Sequence, residues 1–297
     1  MRRYVTVDVF TDERFRGNPL AVVLDAVGLQ AIEMQQIAAE FGYSETTFVL
    51  PPTTAAHTAE VRIFTPTGEV PFAGHPNVGT AVVLAREWHA AGRELPATFL
   101  FEQKAGLVPV RIGQINGVPT SAELTAPEAL SMGPTVSTED AALSLGIDPS
   151  EVVVHTHAPT VASVGLPFLV VEINSIETLS RASGDLAAHR QVLQPIGTDG
   201  VYGYVRRQGT TELSARMFAP LDKVPEDPAT GSATAATLAL LATVEGMAGE
   251  HSWRVIQGEH MGRRSILRGR TLHAAGKLVS VHVGGHVVEV MRGTLCF

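Results

Sequence analysis

A single cysteine, Cys296, is present among 297 residues. One thiol cannot close an intrachain disulfide, and this usage fits a reducing compartment. Its position beside Phe297 argues against a catalytic thiol. Charge is also scarce: 18% of residues are Asp, Glu, Lys or Arg, the net charge is −8, and no run of Lys or Arg occurs. That balance excludes nucleic acid or an anionic membrane surface as the main partner. A small anionic substrate stays open, because locally aimed N–H groups can outweigh net charge. No stretch of eighteen apolar residues and no basic, apolar leader appears, so a soluble cytoplasmic protein is expected. Neither a Gly-x-Gly-x-x-Gly nor a P-loop pattern is found, and no cofactor is expected.

What is abundant is apolar residue, 45% of the chain, enough for a large core in two domains of ordinary size. The chain also repeats itself. VPFAGHPNVGTA at 70–81 returns in altered form as VPEDPATGSATAA at 224–236. Each copy follows an R-x-F-x-P segment, at 62–66 and 216–220. The offset between copies is 154 residues up to the Val-Pro pair; matching Gly74 to Gly231 makes it 157. Each Gly leads into a small-residue apolar run of helical character, at 78–86 and 235–244. Strand, Gly-containing turn and buried helix are thus built twice. The first turn of a helix leaves backbone N–H groups without intrahelical partners, and the macrodipole adds partial positive charge there. Two such starts, at Gly74 and Gly231, can hold a carboxylate or an oxyanion.

In chain order, 4–10 and 20–24 read as strands, with Gly17-Asn18-Pro19 between them. Gly165-Leu166-Pro167 ahead of 168–173 echoes that turn and strand. Residues 29–41 carry apolar positions at helical spacing, and Gly42 is their stop. Glu45 opens the strand at 45–50 as a carboxylate at its mouth. Strands at 98–101 and 107–112 follow, and 116–134, rich in Pro, Gly and Ala, is the linker candidate. A short helix is expected at 138–145. Further strands are expected at 152–155, 200–206, 213–218, 253–256, 265–270, 271–275 and 277–292. Two pairs of histidines catch the eye. His155 and His157 share one side of a strand, and His282 and His286 flank Gly284-Gly285, where a hairpin would bring them together. The first pair is read without an acidic or Cys partner close in sequence, and no metal site is expected at either.

The N-terminal V-D-V-F-T and F-x-G-N-P-L-A-V, S-E-T-x-F-V around Glu45, F-A-G-H-P at 72–76 and E-D-P-A-T-G-S-A at 226–233 occur in order across nearly the whole chain. Together they resemble the PhzF family of phenazine-biosynthesis isomerases. The resemblance implies an α+β, diaminopimelate epimerase-like fold. Such a fold has two pseudo-symmetric β-barrel domains, each around a central helix, with the active site in the cleft between them. The expected boundaries are 1–117 and 118–286, with a C-terminal strand at about 287–297 returning to the first domain. A homodimer is a further implication.

Epimerases of that fold place a Cys before each Gly turn; here Ala73 and Thr230 stand there, which excludes two-thiol epimerisation. The family assigns the proton shuttle to the Glu of S-E-T, here Glu45, and further polar roles to the residues matching His75 and Asp227. Gly74, Gly231 and Ser232 are expected to bind a substrate carboxylate, the Ser hydroxyl as extra donor or helix cap, and Asn18 ranks as a weaker binding residue. The resemblance implies a cofactor-independent isomerase acting on a small cyclic or unsaturated amino or hydroxy acid. A lyase or dehydratase using the same base, and a non-catalytic metabolite-binding protein, are the alternatives.

Overall fold

In the computed structural model, which describes residues 1–207 and 209–296, the chain divides into two units, Met1–Thr125 with Gly284–Phe297, and Ala126–Val283. The first contains strands β1 (Arg2–Val9), β2 (Asn18–Val23), β3 (Glu45–Leu50), β4 (Ala59–Phe64), β5 (Glu69–Val70), β6 (Thr98–Gln103), β7 (Gly106–Ile115) and β8 (Val118–Thr125), with helices α1 (Ala31–Phe41) and α2 (Gly74–Ala90). The second contains β9 (Ser131–Thr135), β10 (Val152–Val153), β11 (Thr160–Ser163), β12 (Pro167–Ile173), β13 (Val201–Arg206), β14 (Glu212–Ala219), β15 (Val224–Asp227), β16 (Gly249–Gln257) and β17 (Ser265–Ala274). Its helices are α3 (Thr138–Leu145), α4 (Ile176–Arg181), α5 (Leu186–Val192) and α6 (Gly231–Val244). The last strand, β18 (Lys277–Leu295), runs from the second unit into the first.

In the first unit β1, β2, β3, β4, β6, β7, β8 and β18 pair successively into a closed ring of eight strands. From β1 to β7 the pairings run antiparallel, parallel, antiparallel, parallel, antiparallel. The second unit repeats that succession from β11 through β12, β13, β14 and β16 to β17. The helix within each unit is buried on all sides: α2 from His75 to Ala85, and α6 at Gly231 and from Ala233 to Ala242. A helix without a polar face needs walls all round, which the ring supplies in the first unit. Small residues let wall and helix meet. A Cβ on Gly79 would lie 2.5 Å from Leu20, and one on Gly269 would lie 2.1 Å from Leu238.

Gly42 ends α1 as expected from sequence, at φ +64° with its N–H on the Ala38 carbonyl. Other expectations are corrected. The stretch 116–134 does contain the boundary between the units, but much of it is strand: Asn116 and Gly117, both at positive φ, turn β7 into β8, and β9 follows. The boundary therefore falls at 125/126 instead of 117/118, since β8 belongs with β7. The strands expected at 265–270 and 271–275 are one, β17, and the one expected at 152–155 stops at Val153. Gly284-Gly285 makes no hairpin. It lies inside continuous β18, where a Cβ on Gly284 would meet the Ala122 carbonyl at 2.3 Å.

Candidate active site

Glu45 and His75 belong to the first unit. Parallel pairing with β2 sets Glu45 opposite Leu20 at the first position of β3, and the turn into α2 sets His75 at the helix's second position, after the extended N-cap Ala73. His75 is buried and Glu45 partly buried, and the two side chains face one another, His75 Nε2 lying 3.5 Å from Glu45 Oε2. Burial pushes the His75 pKa down to about 3, against a smaller upward pull from a hydrogen bond to the Pro19 backbone. Proline has no N–H, so the ring must donate there. Since Nε2 has no hydrogen-bond partner, the donor is Nδ1. The neutral ring therefore turns a lone pair toward the Glu45 carboxyl. Asn18, fully buried, accepts at 3.4 Å from the hydroxyl of Ser44, the residue before Glu45.

Asp227, Thr230, Gly231 and Ser232 belong to the second unit. Asp227 ends β15 opposite Met217 of β14, and Thr230 is the N-cap residue of α6. Ser232, at the helix's second position, is therefore not the cap. The Thr230 hydroxyl donates to Asp227 Oδ2 at 2.5 Å, a charge-assisted length. Gln257, at the end of β16, donates from Nε2 to the Asp227 carbonyl at 2.8 Å and to Thr230 Oγ1 at 3.0 Å, and accepts from Thr230 N–H at 3.2 Å. Beneath, the buried Tyr202 hydroxyl meets Thr234 Oγ1 at 3.0 Å; burial holds this phenol well above its ordinary pKa, and the charge of Asp227 adds to that.

A family profile described as "Phenazine biosynthesis-like protein" (PhzC-PhzF) matches residues 7–293. The chain belongs to this family. A Mesorhizobium japonicum relative named an uncharacterized isomerase is 38% identical, covering 99% of this chain and 98% of that protein. The trans-2,3-dihydro-3-hydroxyanthranilate isomerase of Pseudomonas chlororaphis is 34% identical, with 99% of each covered. Among solved structures, a Bacillus anthracis phenazine biosynthesis protein of the PhzF family superposes with TM-score 0.87 at 26% identity, covering 100% of this chain and 99% of that one. The fold is diaminopimelate epimerase-like α+β, and the chain is an isomerase.

Within this PhzC-PhzF chain, the sequence reading named Glu45 and His75 in one unit and Asp227, Gly231 and Ser232 in the other, but missed the side chains that support them. Gln103 and Gln257 stand 154 residues apart, the same interval as Arg62 and Arg216, and each ends the strand parallel to an R-x-F strand. Gln103 and Asn77 exchange hydrogen bonds between their side-chain amides, and Asn77 also donates to the Ala73 carbonyl at 2.9 Å. The repeat interval could have found both glutamines. The two histidine pairs resolve differently. His157 is buried against the Tyr204 hydroxyl at 2.8 Å while His155 is exposed, and His282 meets the Ser280 hydroxyl. Among the described residues no group of three or more His, Cys, Asp or Glu could hold a metal.

Proposed function

We propose that this isomerase moves a proton within a small cyclic or unsaturated amino or hydroxy acid, without a cofactor, using Glu45 as the general acid and base. The observation that carries this reading is the Glu45–His75 pair, a partly buried carboxyl and a buried imidazole whose facing atoms are 3.5 Å apart. A ring nitrogen whose pKa is held near 3 stays neutral at ordinary pH, so its lone pair can accept a hydrogen bond from the Glu45 carboxyl when that group carries the shuttled proton. Glu45 then takes a proton from a substrate carbon and returns it to another atom on the same face, while the neutral His75 orients the carboxyl. Protons alone move, and the substrate's atoms otherwise stay in place.

The first-turn N–H groups of α2, and separately those of α6 with the Ser232 hydroxyl, suit an anionic group such as a carboxylate. Asp227 suits an ammonium group or a second proton-transfer step. The relative in Pseudomonas chlororaphis, named for a dihydro-hydroxyanthranilate, supplies the chemical class to try first.

The test is incubation in D₂O with a panel of dihydroanthranilate-like acids and other cyclic unsaturated amino acids, followed by NMR and mass spectrometry, with Glu45→Gln alongside. Isomerisation that needs Glu45 is the expected outcome, and the deuterium content of the product reports how fast the shuttled proton exchanges with solvent. Isomerisation that survives Glu45→Gln would overturn the assignment. A product lighter by one water would convert the reading to a dehydratase. Tight binding without turnover of any panel member would make the chain a binding protein for that class.

A further inference from the structure

We propose that Gln257 is a positioning residue that fixes the carboxylate of Asp227 and the N-terminal turn of α6 as one unit; the catalytic side of this claim rests on the function proposed above. Gln257 is only 1% exposed, and both ends of its amide are committed. The Asp227 carbonyl can only accept and the Thr230 N–H can only donate, so the amide is held the one way round that serves both. Its Nε2 also donates to Thr230 Oγ1, which leaves that hydroxyl's own hydrogen to Asp227 Oδ2. One amide thereby dictates where the hydroxyl proton points.

The backbone keeps this amide at its post. Gly258, the next residue, has φ +74°, and a Cβ there would lie 2.6 Å from the Pro228 carbonyl. The end of β16 is thus pressed onto the Asp227-Pro228 turn, at a distance only glycine allows. The first unit has the same device without an acid. Gln103 holds Asn77, and Ala105 N–H, in the turn that follows, reaches the Pro71 carbonyl at 3.2 Å. A glutamine at this strand end is thus present in both copies, and in the second it steadies a turn that carries a carboxylate.

The experiment compares Gln257→Leu, Gln257→Glu, Thr230→Val and Thr230→Ser with wild type in the full chain. The readouts are kcat and KM on the converted panel member and the titration of the ¹³C-labelled Asp227 carboxyl by NMR. Thr230→Val removes the hydrogen bond to the charged carboxylate and Gln257→Leu leaves the hydroxyl free to turn away from it, so the Asp227 midpoint moves to higher pH in both. Gln257→Glu cannot donate to Thr230 and draws its hydroxyl away, so it shows the same shift. Thr230→Ser keeps the hydroxyl and behaves as wild type. Where turnover is measured, kcat falls on the order of 10- to 100-fold in the first three variants. Folded Gln257 variants with wild-type Asp227 midpoints would overturn the proposal. Should the wild type convert nothing, the functional reading fails by itself, and the ¹³C titration still decides for or against Gln257.

Discussion

The two units share a frame and differ in chemistry. In each, an arginine of the R-x-F strand grips a glutamate with both arms: Arg62 on Glu69 at 2.8 Å and 2.8 Å, and Arg216 on Glu226 at 2.8 Å and 2.7 Å. A glutamine steadies each pre-helix turn, and a hydroxyl pair ties strand to helix, Thr47 with Thr80 at 2.8 Å and Tyr202 with Thr234 at 3.0 Å. The residues proposed to react have no such twins. Glu45 lies opposite Leu20, the residue after Pro19; the same step after Pro167, one residue before the Leu169–Val201 pair, falls on Gly200. Where the first helix start carries His75, the second carries Ser232, and Ala73 is matched by Thr230. Residues repeated at the interval are scaffold. Residues that break the repeat are where proton transfer is expected.

The largest effect should come from breaking the asymmetry itself. Glu45→Gln should lower turnover by about 10²- to 10⁴-fold while leaving unfolding by urea nearly unchanged, because amide and acid have the same shape. A variant that keeps activity would place the chemistry elsewhere. The next comparison sets the two arginine clamps against each other. Arg216, 8% exposed, also donates to the carbonyls of Leu179, Ser180 and Ala182, gathering the end of α4. Arg62 holds Glu69 alone, and Glu69 keeps Lys104 as a second partner. Urea unfolding should show Arg216→Met costing about 3–5 kcal/mol, the scale of an uncompensated buried charge. Arg62→Met should cost about 1 kcal/mol. Equal costs would mean that the carbonyls add nothing.

A pH experiment sharpens the contrast at His75. In the folded chain its pKa is near 3, below the ordinary 6.5, so between those values the unfolded chain binds the extra proton and stability falls as pH falls. At pH 5 this amounts to about 2 kcal/mol relative to pH 8. His75→Asn should lose that share of the acid sensitivity, read as the slope of unfolding free energy from pH 8 to pH 4. An unchanged slope would show that the ring is not held neutral. The smallest effects are expected where the units agree most closely. Thr47→Val and Tyr202→Phe should each cost about 1 kcal/mol of stability. A much larger cost in one would mean that the paired hydroxyls are not equivalent.

Much of this frame was legible because duplication leaves a fixed interval in the sequence. R-x-F-x-P, Val-Pro and Gly before a small-residue helix mark strand, turn and helix in both copies, and Glu45, His75 and Asp227 sit at the ends of those elements. What stayed hidden follows from local ambiguity. Asn116-Gly117 lies in a stretch whose Pro, Gly and Ala content reads as linker, although the dipeptide suits a tight hairpin. Gly284-Gly285 looks like a turn, and only the approach of the Ala122 carbonyl reveals a strand with no room for side chains. Gln103 and Gln257 carry no motif at all. A lone glutamine takes its meaning from the backbone groups it meets, and those come from other strands.

Strand β18 also sets a schedule for synthesis. Residues 287–295 pair along β1, at the opposite end of the sequence, and so complete the ring of the first unit. However early residues 1–125 leave the ribosome, their ring lacks its eighth strand until the whole second unit has been translated. During that interval the β1 edge offers unpaired N–H and C=O groups to any passing chain. The unit that carries Glu45 and His75 is made before the second unit and closed after it, so a nascent-chain chaperone has most to protect there.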